Sequence, residues 1–242
     1  MSQLALASAA EVSTRHLSCV ETGRSRPSAE LLIHLAETLD VPLRARNQLL
    51  MAAGHAPRYQ QLALDDAGMR PVADVLETIL DRSDPNPTVV IDQQWNLVAA
   101  NAAALWLCQD VDPALLEPPA NVARLSLDPA GLAPHILNFD DYAAHLLARV
   151  RAAASLARSP ALDALAADLA TLAPPPRQQT EPTAAAFALP MEMTTGGHRL
   201  RLFSTIATFG TAVEITLAEL AIETFYPADD ATAEVLRSRP WA

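Results

Sequence analysis

The first eighty residues carry apolar positions three and four apart, the spacing of helices that bury one face. Ser2 is placed to cap a helix through about Ala9, with Leu4 and Ala7 inward. Ser13 opens a second helix that buries Leu17 and Val20 and ends at Gly23. Ser28 opens a third, with Leu31, Leu32, Leu35 and Leu39 as its stripe, and Pro42 starts a fourth that stops at Gly54. AGHAPRYQQLALDD, Ala53 to Asp66, reads as a linker, and Val72, Val75, Leu76 and Ile79 predict a connecting helix from about Met69 to Asp81.

The period then changes. Thr88 to Ile91 and Leu97 to Ala99 predict two short strands around the turn DQQWN. A helix from Asn101 to Cys108 follows, then a proline-rich stretch with a short helix near Asn121. Phe139 to about Ala154 is a long amphipathic helix that buries Tyr142, Leu146, Leu147 and Val150, and Pro160 to Leu172 is another. APPPRQQTEPT, Ala173 to Thr183, reads as an extended linker. Strands are predicted over Ala185 to Met191, Arg199 to Phe209 and Val213 to Thr224, the last with a bulge near Ala218. Two domains result: an all-α bundle over residues 1–58 and an α+β domain with a five-stranded antiparallel sheet over 84–242, joined by 59–83. Helices on one face of such a sheet leave a cavity between the layers.

Charge separates the two parts further. The net charge is −11, and every cation is arginine. Six arginines against five acids give +1 over residues 1–58; eleven against twenty-three give −12 over the remainder. Only the N-terminal part can approach a phosphate backbone without strong repulsion. Its second helix projects Thr14, Arg15, His16 and Ser18 away from Leu17 and Val20, with Arg24 and Arg26 just beyond. Small polar and basic groups on a short helix suit the DNA major groove. The same pattern also fits a surface helix with two incidental arginines.

Catalytic and metal chemistry find little support. Cys19 and Cys108 form no CxxC pair, and the six histidines make no ligand spacing. Asp140–Asp141 and Asp229–Asp230 read as helix caps or solvated turns. No nucleophile elbow, P-loop or dinucleotide glycine signature occurs. No apolar run nears the ~20 residues that span a bilayer, so a cytoplasmic protein without a membrane partner is expected.

SQLALASAAEVSTRHLSCVETGRSRPS resembles the helix-turn-helix of the Xre/Cro family of bacterial repressors, from its second helix into the loop before its fourth. PTVVIDQQWNLVAANAAALWL, ARLSLDPAGLAPHILNFDDYAAHLLARVRAAA and LRLFSTIATFGTAVEITLAELAIETFYPADDATAEVLR are similar to the MmyB-like transcription regulators. There a helix-turn-helix domain precedes a PAS-like ligand-binding domain. The resemblance implies a first helix before Ser2, which is missing here, so Leu4, Leu17 and Leu35 are expected to lose a cover. It also implies a glycine where Glu11 stands, and glutamate at positive φ is strained by roughly 1 kcal/mol.

On this reading the chain is a sequence-specific regulator of double-stranded DNA, controlled by a small-molecule effector and linked to specialised metabolism. Thr14, Arg15 and Ser18 read bases; Gln3, Ser13, Arg24 and Arg26 hold phosphates. A homodimer on a two-fold operator is expected, because one short helix supplies few contacts. No cofactor or metal is expected. The effector is a mostly apolar molecule, such as a fatty acid, held by Leu97, Asn101, Trp106, Tyr142, Leu146, Phe203 and Ile215. Asn101 either caps its helix or anchors the ligand, while Phe225, Pro227 and Asp229 lock the sheet to a final helix. The alternative is a dimerisation module that no longer binds DNA for want of its first helix.

Overall fold

The computed structural model describes residues 1–174, 190–210 and 212–239. The chain divides into two compact units, one of Met1–Asp66 with Gly210–Ala218, the other of Ala67–Phe209 with the residues from Glu219 onward.

The first unit contains α1 (Gln3–Ala9), α2 (Thr14–Glu21), α3 (Ala29–Thr38) and α4 (Leu43–Ala52). The first backbone N–H groups of a helix lack intrahelical partners. Ser2, Ser13 and Ser28 supply one each, their hydroxyl oxygens accepting from Ala5, His16 and Leu31 at 3.1–3.2 Å. Ala7, Ala10, Leu17 and Leu35 form the core. Leu4, read as facing inward, is 70 % exposed, whereas Leu17 and Leu35, expected to lose a cover, are buried at 2 % and 8 %. The small side chains of Ala7 and Ala10 let α1 cover them. Glu11 takes φ +52°, the strained turn that the resemblance, with glycine at this position, implied.

The stretch read as a linker is instead bound to this unit. Buried Asn47 accepts from the N–H groups of Arg58 (2.9 Å) and Tyr59 (3.1 Å) and donates to the Tyr59 carbonyl (2.7 Å). Residues 210–218 add to it. The continuous strand expected from Val213 to Thr224 is broken by a helical turn, α10 (Ile215–Ala218). The Glu214 carboxylate accepts from the backbone of Leu217 and Leu62, both at 2.8 Å, so it caps this turn and ties it to the chain at Leu62. Thr216 donates to the Leu62 carbonyl, and Ile215 N–H to that of Gln60.

The second unit opens with α5 (Arg70–Ser83), the helix expected to connect the domains. Its sheet contains β1 (Thr88–Ile91), β2 (Leu97–Ala100), β3 (Met191–Thr195), β4 (His198–Thr208) and β5 (Ala221–Pro227). The strand order is β2-β1-β5-β4-β3, all antiparallel. The strand expected over Ala185 to Met191 lies largely outside the described residues, as does most of the Ala173 to Thr183 linker. Strand β3 starts at Met191, and the Gly196–Gly197 turn leads into β4. Between β2 and β3 the chain forms α6 (Ala102–Leu107), α7 (Val122–Leu127), α8 (Phe139–Ala157) and α9 (Pro160–Leu172); α11 (Asp230–Arg237) follows β5. Leu146, Leu147 and Val150 of α8 pack with Leu162 and Leu169 of α9 in one core cluster; Met193, Leu200 and Leu202 anchor another on the sheet.

Candidate functional site

In the N-terminal unit, α2 exposes Thr14, Arg15 and His16 beside half-buried Ser18. The side chains of Arg15 and Arg24 are exposed and have no hydrogen-bond or ion-pair partner among the described residues. Ser13 is engaged as the cap of α2, and Gln3 donates to the Glu21 carboxylate. Arg26 is a correction. Its Nε donates to the Ala53 carbonyl (2.9 Å) and its Nη2 to that of Gly54 (2.8 Å). It therefore closes the C-terminal end of α4, whose last carbonyls need donors, rather than presenting a guanidinium to phosphate. Gly54 has φ +77°, and a Cβ there would meet Arg26 Nη2 at 2.4 Å, so the contact itself requires glycine.

In the second unit, a cavity of about 70 Å³ lies between sheet and helices. That exceeds the ~10–15 Å³ one water needs several-fold. Val89, Glu223, Phe225 and Met191 come from the sheet, Trp95 from the β1–β2 turn, and Ala104, Leu107 and Cys108 from α6 and its end. Val122, Leu125 and Ser126 of α7, then Leu132, then Tyr142, Leu146 and Arg149 of α8 complete the wall. Tyr142, Leu146 and Arg149 are four and three residues apart, so one stripe of α8 presents all three. Glu223 and Phe225 alternate on β5, and Val89 pairs with Glu223 across the ladder.

Among the described residues the wall is uncharged except at one place. Glu223, 5 % exposed, is held by Arg149 through two contacts of 3.0 and 3.4 Å and by the Ser204 hydroxyl at 2.7 Å. Arg149 also lies over the Trp95 ring, 4.9 Å from its centroid. Trp95 is in the left-handed region, φ +67°, costly for a bulky residue. Asp92 holds the turn there by accepting from the N–H groups of Gln94 and Asn96 at 2.8 Å. Burial pushes the Cys108 thiol up to about 11 and raises the Tyr142 phenol, against a lowering by its hydrogen bond with Ser126. Both stay neutral, so among the described residues Arg149 and Glu223 are the only charges in the wall, and they cancel.

Of the residues expected to hold the effector, Tyr142 and Leu146 line this cavity. The other five lie elsewhere. Leu97 stands half-buried on β2. Asn101 caps α6, accepting from Ala104 at 3.0 Å, and its remaining polar positions are used inside the fold. Trp106 packs beside the Gly196 turn with Arg239 over its ring at 4.0 Å. Phe203 is on the exposed side of β4, stacked on Tyr226 at 5.6 Å. Ile215 belongs to the first unit, because the strand assumed to carry it is broken there. Sequence reading missed Arg149 and Glu223. Their signal was present: an arginine on an apolar helical stripe and a glutamate in an apolar strand must find each other to be buried.

Among the described residues no three His, Cys, Asp or Glu are grouped to hold a metal, and no helix is long and apolar enough to cross a membrane. Asp229 caps α11, accepting from Thr232 at 2.8 Å, which is the structural role expected of it.

Comparison with known proteins agrees with both halves. Residues 1–45 match the helix-turn-helix family. Residues 72–238 match the family described as the MmyB-like transcription regulator ligand binding domain. No curated protein matches the chain significantly. These are domains of transcription regulators rather than of enzymes, and they carry a DNA-binding part and a ligand-binding part. With a five-stranded antiparallel sheet and over half its length matched, the chain belongs to the MmyB-like transcription regulators.

Proposed function

We propose that the chain binds a specific DNA operator as a homodimer and that a small, mostly apolar molecule, such as one with an acyl chain, controls this binding from the second unit. The observation that carries the reading is the cavity wall, mostly apolar around a single neutralised ion pair among the described residues. Apolar surface leaving water contributes ~25 cal/mol per Å², so such a site selects by shape and length. Arg15, Thr14 and Ser18 read the bases, and Arg24 holds phosphate. Two copies supply the contacts that one short helix lacks.

Covalent connection supports the coupling. Residues 210–218 lie in the first unit, while β5, which begins three residues later, lines the cavity with Glu223 and Phe225. A ligand that favours one position of β5 biases the segment joined to it.

Footprinting of the full chain on its own upstream region, with and without extract from its host, tests the proposal. A protected two-fold site whose affinity shifts with the extract is expected. No protected site would favour the dimerisation module, and a protected site indifferent to every extract would remove the effector.

A further inference from the structure

We propose that the DNA-binding surface extends past the helix-turn-helix onto residues 53–59, where Arg58 holds a backbone phosphate next to the one held by Arg24. The inference rests on the reading that α2 enters the groove, and deepens it. Residues 53–59 lie beyond the 1–45 that match the helix-turn-helix family. They are the stretch that reads as a linker in the sequence and is bound to the first unit in the structure.

Three hydrogen bonds join residues 53–55 to the loop that leaves α2. Two are the bonds from Arg26 to the carbonyls of Ala53 and Gly54. In the third, His55 Nε2 donates to the Pro27 carbonyl at 2.9 Å. Three residues of chain span at most ~11 Å, so the Arg58 backbone stays that close to His55. Asn47 fixes it there by accepting from the Arg58 N–H at 2.9 Å. Arg58 is also felt at the first turn of α3. The Glu30 carboxyl is held below its ordinary value by its own N–H and by Ser28 foremost, then by Arg58 and His55. Arg24 belongs to the same loop between α2 and α3, so two arginines distant in sequence flank one exit from α2.

The side chain of Arg58 is exposed and has no hydrogen-bond or ion-pair partner among the described residues. Arg26 closes α4, and Arg46 donates to the Val41 carbonyl and lies over Tyr59, so these two serve the fold. Residues 1–58 carry a net charge of only +1, so where the arginines stand decides whether this unit can approach a phosphate. A guanidinium on a fixed backbone loses less freedom on binding than one on a free linker. Each phosphate it neutralises releases counterions, whatever the base sequence.

Gel-shift titrations of the full chain over a salt series test this, with a duplex carrying the footprinted upstream site and a random duplex of equal length. Arg58→Ala should weaken both alike, about fivefold per copy at ~0.15 M salt, and make the salt slope shallower by about one per copy. Arg58→Lys, which keeps the charge, should retain most of the affinity. The melting temperature of Arg58→Ala should equal that of the wild type, because the bond to Asn47 is made by the backbone. Ethylation interference should lose a phosphate in Arg58→Ala that Arg24→Ala keeps. A wild-type salt slope in Arg58→Ala, or an unchanged set of interfering phosphates, would overturn the inference and leave the groove reading standing. A lowered melting temperature with an unchanged slope would assign the side chain to the fold instead. If the wild-type chain binds neither duplex, the DNA-binding reading falls and the inference with it.

Discussion

Asn101 uses every polar position of its side chain inside the fold. Its Oδ1 accepts from Thr88 (2.9 Å) and Ala104 (3.0 Å), and its Nδ2 donates to Asp84 Oδ1 and the Asn86 carbonyl, both at 2.9 Å. It joins β1 to the start of α6. Asn101→Ala would leave the buried Thr88 N–H unpaired and uncap the helix, costing about 2–4 kcal/mol in urea unfolding. The arginines of the first unit divide in the same way between fold and function. Arg15→Ala should weaken specific DNA binding by about 1–3 kcal/mol and relax preference at one base pair. Arg24→Ala should weaken binding to all sequences alike and reduce the salt slope by about one. Arg26→Ala should lower the melting temperature of the first unit, by about 1 kcal/mol for the lost bonds to α4, with the salt slope unchanged. Gel-shift titrations over a salt series separate the three.

At the scale of elements, α10 has no counterpart in the strand expected across it. Glu214 stabilises it, and its ionisation is linked to the fold. Burial pushes the carboxyl up, but the N–H groups of Leu217 and Leu62 outweigh that, and the net direction is down from the ordinary 4.5. A group held lower in the folded state contributes stability above its unfolded value, which is lost as pH falls through the folded one. The first unit should therefore lose melting temperature below about pH 4.5 more steeply in the wild type than in Glu214→Gln. Scanning calorimetry across that range checks the sign. An equal slope in both proteins would show that the cap is unlinked to stability. The stripe on α8 makes the complementary point. Its periodicity marks Tyr142 and Leu146 as buried, and the same periodicity carries Arg149 inward, where Glu223 makes its burial tolerable.

For the whole molecule, the segment 210–218 is both a connection within the sheet and a part of the DNA-binding unit. Allosteric coupling between two ligands is typically worth about 1–3 kcal/mol. Glu214→Ala combined with Thr216→Val removes the side-chain bonds to Leu62 while leaving α2 and the cavity wall intact. We expect this variant to keep its affinity for operator and for effector, measured separately, but to lose most of the effector's influence on DNA binding. Retention of the full influence would place the coupling elsewhere in the chain.

The order of helices and strands, the serine caps and the helix-turn-helix were legible in the sequence because they depend on neighbours. A cap needs a hydroxyl three residues before its donor, and an amphipathic face needs only its own period. Glu11 at positive φ was legible only through the resemblance, which places a glycine at that turn. The cavity was not. Its wall draws on β1, the turn at Trp95, α6, α7, α8, β3 and β5, and no local rule says which of several buried aromatics meet at one point. Trp106 and Phe203 have the residue types of a ligand site, yet one packs by Gly196 and the other faces outward from β4. Arg26 and Arg24 stand two residues apart with the same chemistry. Only the arrival of α4's C-terminal end beside Arg26 decides that one side chain holds the fold while the other stays exposed. Burial of the Arg149–Glu223 pair is likewise a tertiary decision, since 74 residues separate two charges that are tolerable only together.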